Sequence, residues 1–235
     1  MRLDKYLASV TDYSRSQVKR LLKDQRVTVD GDIIIDPAFD LDEALAQVEL
    51  DGESLRPPGF RYFMLHKPEG YVCATKDKTH PTVIDLLEED NLSTLHIAGR
   101  LDIDTTGLVL ITDDGQWSHK IISPKSQCEK IYHLETAESI NEKYIDQFAK
   151  GIFLHSEKKR CLPAKLKIID EYSAELILQE GKYHQVKRMI AAMGNAVVKL
   201  HRHAVGGIVL DEDLEPGEYR PLTEDEIASI SGKVL

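Results

Sequence analysis

The feature that most restricts how this chain can fold is the break at Ser54-Leu55-Arg56-Pro57-Pro58-Gly59. Two consecutive prolines fix their φ angles and supply no backbone donors, and the glycine behind them resists regular structure, so no helix or sheet strand is expected to run through this point. The chain is therefore expected to form a small module, residues 1–58, and a larger domain, residues 59–235. At 235 residues, with 42% hydrophobic and 30% charged side chains, it is long enough for one large domain plus a small one.

Within the small module, Ser14-Arg15-Ser16-Gln17 has the order of a capping box, which places a helix start near Arg15. Val18, Leu21 and Leu22 then share one face, while Arg15, Lys19 and Lys23 recur every four residues on another. Val27–Ile35 reads as two β-rich runs around an Asp30-Gly31 turn. In the larger domain Tyr62–Leu65, Leu108–Ile111 and Ala174–Leu178 read as strands, and Ile140–Lys150 and Val186–Met193 as helices, so the fold class is α+β.

The formal net charge of −10 argues against a polyanionic partner until it is mapped along the chain. Residues 1–26 carry seven Lys/Arg against three Asp, whereas Val27–Leu55 carries nine Asp/Glu and no Lys/Arg. Gly181–His203 holds Lys182, Lys187, Arg188, Lys199 and Arg202 with no acid. Phosphate binding depends on such local clusters and not on net charge, although charge runs also occur as ordinary solvated faces. No uncharged stretch reaches the length of a membrane span and the N-terminus has no apolar signal region, so a cytoplasmic protein without membrane contact is expected. Cys73, Cys128 and Cys161 are odd in number and widely spaced, which suits reduced, core-filling thiols. Common catalytic signatures are missing, and of the nine histidines only His201 and His203 lie close together, so no metal is assigned.

One segment stands out chemically. Ala98-Gly99-Arg100-Leu101-Asp102-Ile103-Asp104-Thr105-Thr106-Gly107-Leu108 places two carboxylates, a guanidinium and two hydroxyls on a glycine-bounded loop that runs into an apolar strand. Such a loop mounts a reactive group well. Taken alone, Asp102 or Asp104 is better explained as the side chain closing a turn with a threonine.

The order of motifs adds a family resemblance. Arg2–Leu7, Ser14–Val18 and Gln25–Gly31 resemble the S4 RNA-binding domain. Leu65-His66-Lys67-Pro68-Glu69-Gly70, Gly99-Arg100-Leu101-Asp102 with Thr105-Thr106-Gly107-Leu108, Cys128–Tyr132 and Gly181–Met189 resemble the RsuA/RluA-type pseudouridine synthases. These motifs span nearly the whole chain. The resemblance implies an S4-type α/β module followed by a mixed, mainly antiparallel sheet flanked by helices, the pseudouridine synthase fold. It implies isomerisation of uridine to pseudouridine in 16S ribosomal RNA, most closely at uridine 516, on rRNA or the assembling small subunit. That reaction needs no cofactor, and a monomer is expected.

The resemblance also assigns roles. Asp102 takes the position of the catalytic carboxylate, as nucleophile toward C1′ or the base, or as a base that gives a glycal. Tyr132 would stack on the uracil, and Lys187, where many relatives have arginine, would pair with Asp102, with Arg188 as the neighbouring alternative. Arg100 and Arg188 would contact RNA near the site, and Arg2, Arg15, Lys19, Arg20 and Lys23 would contact phosphates from the S4 module. Competing readings are a noncatalytic S4-type RNA-binding or ribosome-assembly protein, a synthase acting on 23S rRNA, and a glycosidase using Asp102 with Asp104.

Overall fold

The computed structural model describes residues 1–42, 46–55, 59–155 and 157–230, and the chain divides into two compact units, Met1–Gly59 and Phe60–Leu235. Residues 56–58 of the expected linker lie outside the described residues.

The first unit contains helices α1 (Leu3–Val10) and α2 (Arg15–Lys23) and strands β1 (Val27–Val29), β2 (Asp32–Ile33), β3 (Val48–Leu50) and β4 (Glu53–Leu55). The start of α2 follows from its cap. Ser14 Oγ accepts from the Gln17 N–H, and Gln17 Oε1 accepts from the Ser14 N–H at 2.8 Å, so two otherwise orphaned donors are satisfied. Val18, Leu21 and Leu22 then pack against Leu3, Tyr6 and Leu7 of α1. Asp30 and Gly31 both adopt positive φ, 54° and 89°, which suits the tight β1–β2 hairpin. The four strands form an antiparallel sheet in the order β2-β1-β3-β4.

In the second unit the elements are β5 (Tyr62–Lys67), β6 (His96–Ile97), β7 (Thr106–Thr112), α3 (Gly115–Ile122), β8 (Lys130–Thr136), α4 (Glu142–Ala149), β9 (Lys165–Ile168), β10 (Ser173–Leu178), α5 (Gln185–Ala192), β11 (Val197–Val205), β12 (Ile208–Val209), β13 (Tyr219–Pro221) and α6 (Glu224–Ser229). They build a nine-stranded sheet whose main path is β13-β5-β7-β11-β8-β10-β9, with β6 also on β7 and β12 on β11. Every pairing is antiparallel except β7 with β11, where Thr106 lies beside His201 and Gly107 beside Arg202. That short parallel seam joins two antiparallel halves, and the chemically distinctive loop enters the sheet there.

Alternation along the strands decides what each face buries. Phe63, Leu65, Val109, Leu134 and Leu176 pack with Phe148 of α4 and Val186, Met189 and Ile190 of α5. Met64, Leu108 and Leu110 pack with Trp117 and Ile121 of α3. Asp114 caps α3 by accepting from the Gln116 and Trp117 N–H groups. Gly107 lies where the two halves meet, with φ +105°, and a β-carbon there would fall 2.3 Å from the Arg202 carbonyl oxygen. Only glycine satisfies both the backbone angle and this approach.

Cys73 and Cys161 are buried free thiols, as expected, whereas Cys128 is only half-buried. His201 is the histidine most changed by its surroundings. It is partly buried, with Nδ1 2.9 Å from Thr106 Oγ1 and its ring 5.7 Å from that of His66. Burial, reinforced by His66, His133 and His203, lowers its pKa to about 4. Because the folded value lies below the unfolded one of about 6.5, the neutral ring's contribution is fully present above pH 6.5 and is lost as pH falls toward 4. Thermal melts of His201→Gln are expected to show a shallower acid-side decline than the native protein, by about 1–2 kcal/mol after discounting for partial exposure. Equal slopes would contradict this.

Candidate active site

The loop between β6 and β7 carries Asp102. Its turn is closed by main chain, since the Thr105 N–H donates to the Asp102 carbonyl oxygen at 3.1 Å. The Asp102 carboxylate is thus left for other work. Its Oδ2 lies 3.4 Å from Lys187 Nζ and its Oδ1 3.4 Å from His184 Nε2. Lys187 also holds Asp104, whose Oδ1 is 2.5 Å from Nζ. That hydrogen bond keeps the Asp104 carboxyl below its usual range despite partial burial. One cation therefore serves two carboxylates, touching Asp104 most closely.

Two buried cations hold this loop from opposite ends. Lys67 is fully buried and donates to the carbonyls of Pro68, Ile103 and Thr105 at 3.0, 3.1 and 2.7 Å. Burial pushes its amine below the usual lysine range. Arg202, 2% exposed, donates from Nε to Leu108 at 2.8 Å and from its terminal nitrogens to the carbonyls of Gly99 at 2.9 Å and Arg100 at 3.4 Å. Neither makes an ion pair among the described residues; carbonyl dipoles replace the water each cation lost. The Leu101 N–H adds a contact to Cys73 Sγ at 3.3 Å.

The second half of the sheet supplies the opposite wall. Tyr132 on β8 is 9% exposed and stands in register with Arg202, lining the pocket with Leu178 and Leu200. At the rim, α5 starts from His184, which has left-handed backbone (φ 48°) and is stacked under the exposed ring of Tyr183, centroids 3.7 Å apart. The buried Gln185 side chain fixes this entry by accepting from the Lys182 N–H at 2.8 Å and donating to Glu180 at 2.8 Å. Lys187 follows one turn into the helix, on the side that reaches Asp102. The cavity of about 570 Å³ falls in the size range of small-ligand pockets, roughly 300–1,000 Å³.

The structure thus brings Asp102, Tyr132, Lys187 and Arg100 to one pocket, with Arg100 exposed on its lining. Arg188 is placed differently: it donates to Glu157 at 3.1 Å, to the Tyr183 carbonyl at 3.0 Å and to the His155 carbonyl at 2.6 Å. Lys187, and not Arg188, is the cation beside Asp102. In the first unit Arg2 and Arg15 both bond Asp4, a carboxylate with 1% exposure, yet each keeps more than half of its side chain exposed. Lys19, Arg20 and Lys23 are exposed and make no side-chain hydrogen bond or ion pair among the described residues. His184, Lys67 and Arg202 were not assigned site roles from sequence. His184 and Lys67 lie inside the motifs quoted above, whereas Arg202 had no local signal.

A carboxylate flanked by a cation and an imidazole, in a pocket that an aromatic ring also lines, suits covalent or acid–base chemistry on a small reacting group. Comparison with known proteins gives it a class. Residues 61–192 match the RNA pseudouridylate synthase family and residues 1–44 match the S4 domain. The chain belongs to the RNA pseudouridylate synthase family and is an isomerase of RNA uridine. Over 231 residues it is 54% identical to ribosomal small subunit pseudouridine synthase A of Escherichia coli K12, covering 98% of this chain and 100% of that protein. Its counterparts in Salmonella typhimurium and Vibrio cholerae are 55% and 52% identical over 98% of this chain, and over 100% and 99% of their own lengths. A solved structure described as a pseudouridylate synthase superposes with TM-score 0.71 at 46% identity, covering 98% of this chain and 99% of that one.

Proposed function

We propose that this enzyme converts a single uridine of small-subunit 16S rRNA, uridine 516, into pseudouridine, with Asp102 as the catalytic carboxylate. The observation that carries the reading is the placement of the Asp102 carboxylate between Lys187 and His184 in a pocket walled by Tyr132. The substrate assignment is supported by relatives named for the small ribosomal subunit that are 54–55% identical over nearly the full length.

The reaction breaks the bond from uracil N1 to ribose C1′, turns the base, and joins C5 to C1′, with the C5 proton leaving and N1 gaining one. Atoms and electrons balance without a redox or phosphoryl partner. The uridine must leave its stack to enter the pocket, and the detached uracil must stay there while it turns. Tyr132 presents an aromatic face for stacking and excludes water. Asp102 acts as nucleophile toward C1′ or the base, or as a base toward the ribose, and Lys187 orients it by charge. Arg100 at the rim occupies the space vacated by the flipped nucleotide or contacts its phosphate. The first unit acts as the RNA-binding module, with the exposed Lys19, Arg20 and Lys23 together with Arg2 and Arg15 meeting phosphates.

Purified protein incubated with 16S rRNA tritiated at uridine C5 is expected to release one tritium per RNA chain, because C5 exchanges hydrogen for carbon. Release from 23S rRNA and not 16S would overturn the substrate assignment, and no release from either would overturn the activity proposed for this site.

A further inference from the structure

Resting on the RNA reading above, we infer that the loop carrying Lys158, Lys159 and Arg160 forms a second RNA-backbone surface, on the catalytic unit. In a chain of net charge −10 the stretch 150–160 holds four Lys/Arg and a single acid, Glu157. That acid is already occupied: Arg188 Nη1 lies 3.1 Å from one of its oxygens and Lys182 Nζ 3.4 Å from the other. Lys158 and Lys159 are exposed and make no side-chain hydrogen bond or ion pair among the described residues. Lys165 and Lys167 alternate with the buried Leu166 and stand in register with Ile177 and Glu175, on the sheet face away from Tyr132, and so do not belong to this surface.

The segment is also built to stay in place. It is pinched at its base, where the Cys161 N–H donates to the Ile152 carbonyl at 2.9 Å and Gly151, φ +73°, leaves no room for a β-carbon beside the Cys161 carbonyl. Ile152 and Leu154 point into the core, so Phe153 and His155 point outward. Arg160 donates to the Gly151 carbonyl at 2.8 Å and lies over the exposed Phe153 ring, 4.9 Å from its centroid. Four bonds tie the loop to the pocket wall: Glu157 to Lys182 and to Arg188, Arg188 to the His155 carbonyl, and the Leu162 N–H to Glu180 at 2.9 Å. Glu180 and Lys182 line the cavity. The surface is thus continuous with the site, and unpaired lysines beside an exposed aromatic–arginine pair fit a nucleic-acid strand that runs on from the flipped uridine.

The test is salt-dependent binding of the full chain to a 16S rRNA transcript containing the target region. Replacing Lys158 and Lys159 with Gln is expected to make the slope of log K against log salt shallower by about 1.4, at roughly 0.7 per single-strand phosphate contact, or about 25-fold weaker binding at 0.1 M salt relative to 1 M. Lys165→Gln with Lys167→Gln, on the other sheet face, should leave the slope native, and Lys158→Arg with Lys159→Arg should keep the native slope. An unchanged slope in the Lys158 and Lys159 Gln pair would overturn this surface, as would weakened binding with an unchanged slope. If native protein releases tritium while that slope stays fixed, the RNA reading stands and this surface alone fails. If native binding shows no salt dependence, both fail.

Discussion

Asp102→Asn is expected to abolish tritium release from C5-labelled RNA, lowering the rate by roughly four orders of magnitude or more, the scale seen when a group that makes or breaks bonds is removed. The substitution keeps shape and hydrogen-bonding capacity but removes the negative charge and the nucleophilic or basic oxygen. The rest of the site should remain in place, because Lys187 retains its closer bond to Asp104 and the Thr105 N–H still donates to the residue-102 carbonyl. Stability should change by less than about 1 kcal/mol, as befits a pair of partly exposed charges. RNA affinity should be little altered. A variant that binds RNA normally and still releases tritium at the native rate would remove Asp102 from the mechanism, whatever its surroundings.

The largest structural effect is expected at Arg202. Arg202→Met preserves most of the volume but leaves three carbonyls, those of Leu108, Gly99 and Arg100, without their donor in a buried setting. Buried acceptors deprived of charged donors cost about 3–5 kcal/mol in total, read as a lower urea midpoint. Activity should fall further than stability alone explains, since Gly99 and Arg100 lead directly into Asp102 and a misplacement near 1 Å is costly to a positioned group. Arg202→Lys should be intermediate, because an ammonium cannot satisfy three carbonyls spread across a planar fork. A loss below about 1 kcal/mol with native kcat would show that the loop holds itself.

Features set by neighbouring residues are visible in the sequence, and features set by distant pairing are not. Local chemistry was legible: Ser14 and Gln17 mark the start of α2, Asp30-Gly31 marks its hairpin, and the period-2 pattern of Ala174–Leu178 marks β10. Asp102, Tyr132 and Lys187 were selected by motif order, and the fold brings all three to one pocket. What the sequence hides depends on distant pairing. Strands β6 and β12 are two residues long and show no alternation to read, while β11 is interrupted by Lys199, His201, Arg202 and His203. Arg202 meets the carbonyls it holds from about a hundred positions away. Set between two histidines, it gave no hint that it is buried. Arg188 is expected to contact RNA, and its ion pair with Glu157, 31 positions away, is not visible in the sequence.

The proposed role of Asp102 in making one pseudouridine of small-subunit rRNA is open to a test in cells: pseudouridine is mapped at position 516 of 16S rRNA in a strain deleted for the gene, then supplied with either the native protein or Asp102→Asn at equal abundance. The predicted result is loss of the modification on deletion, return with the native protein, and no return with the variant. Persistence of the modification in the deleted strain would contradict the target, and its restoration by Asp102→Asn would contradict the catalytic assignment.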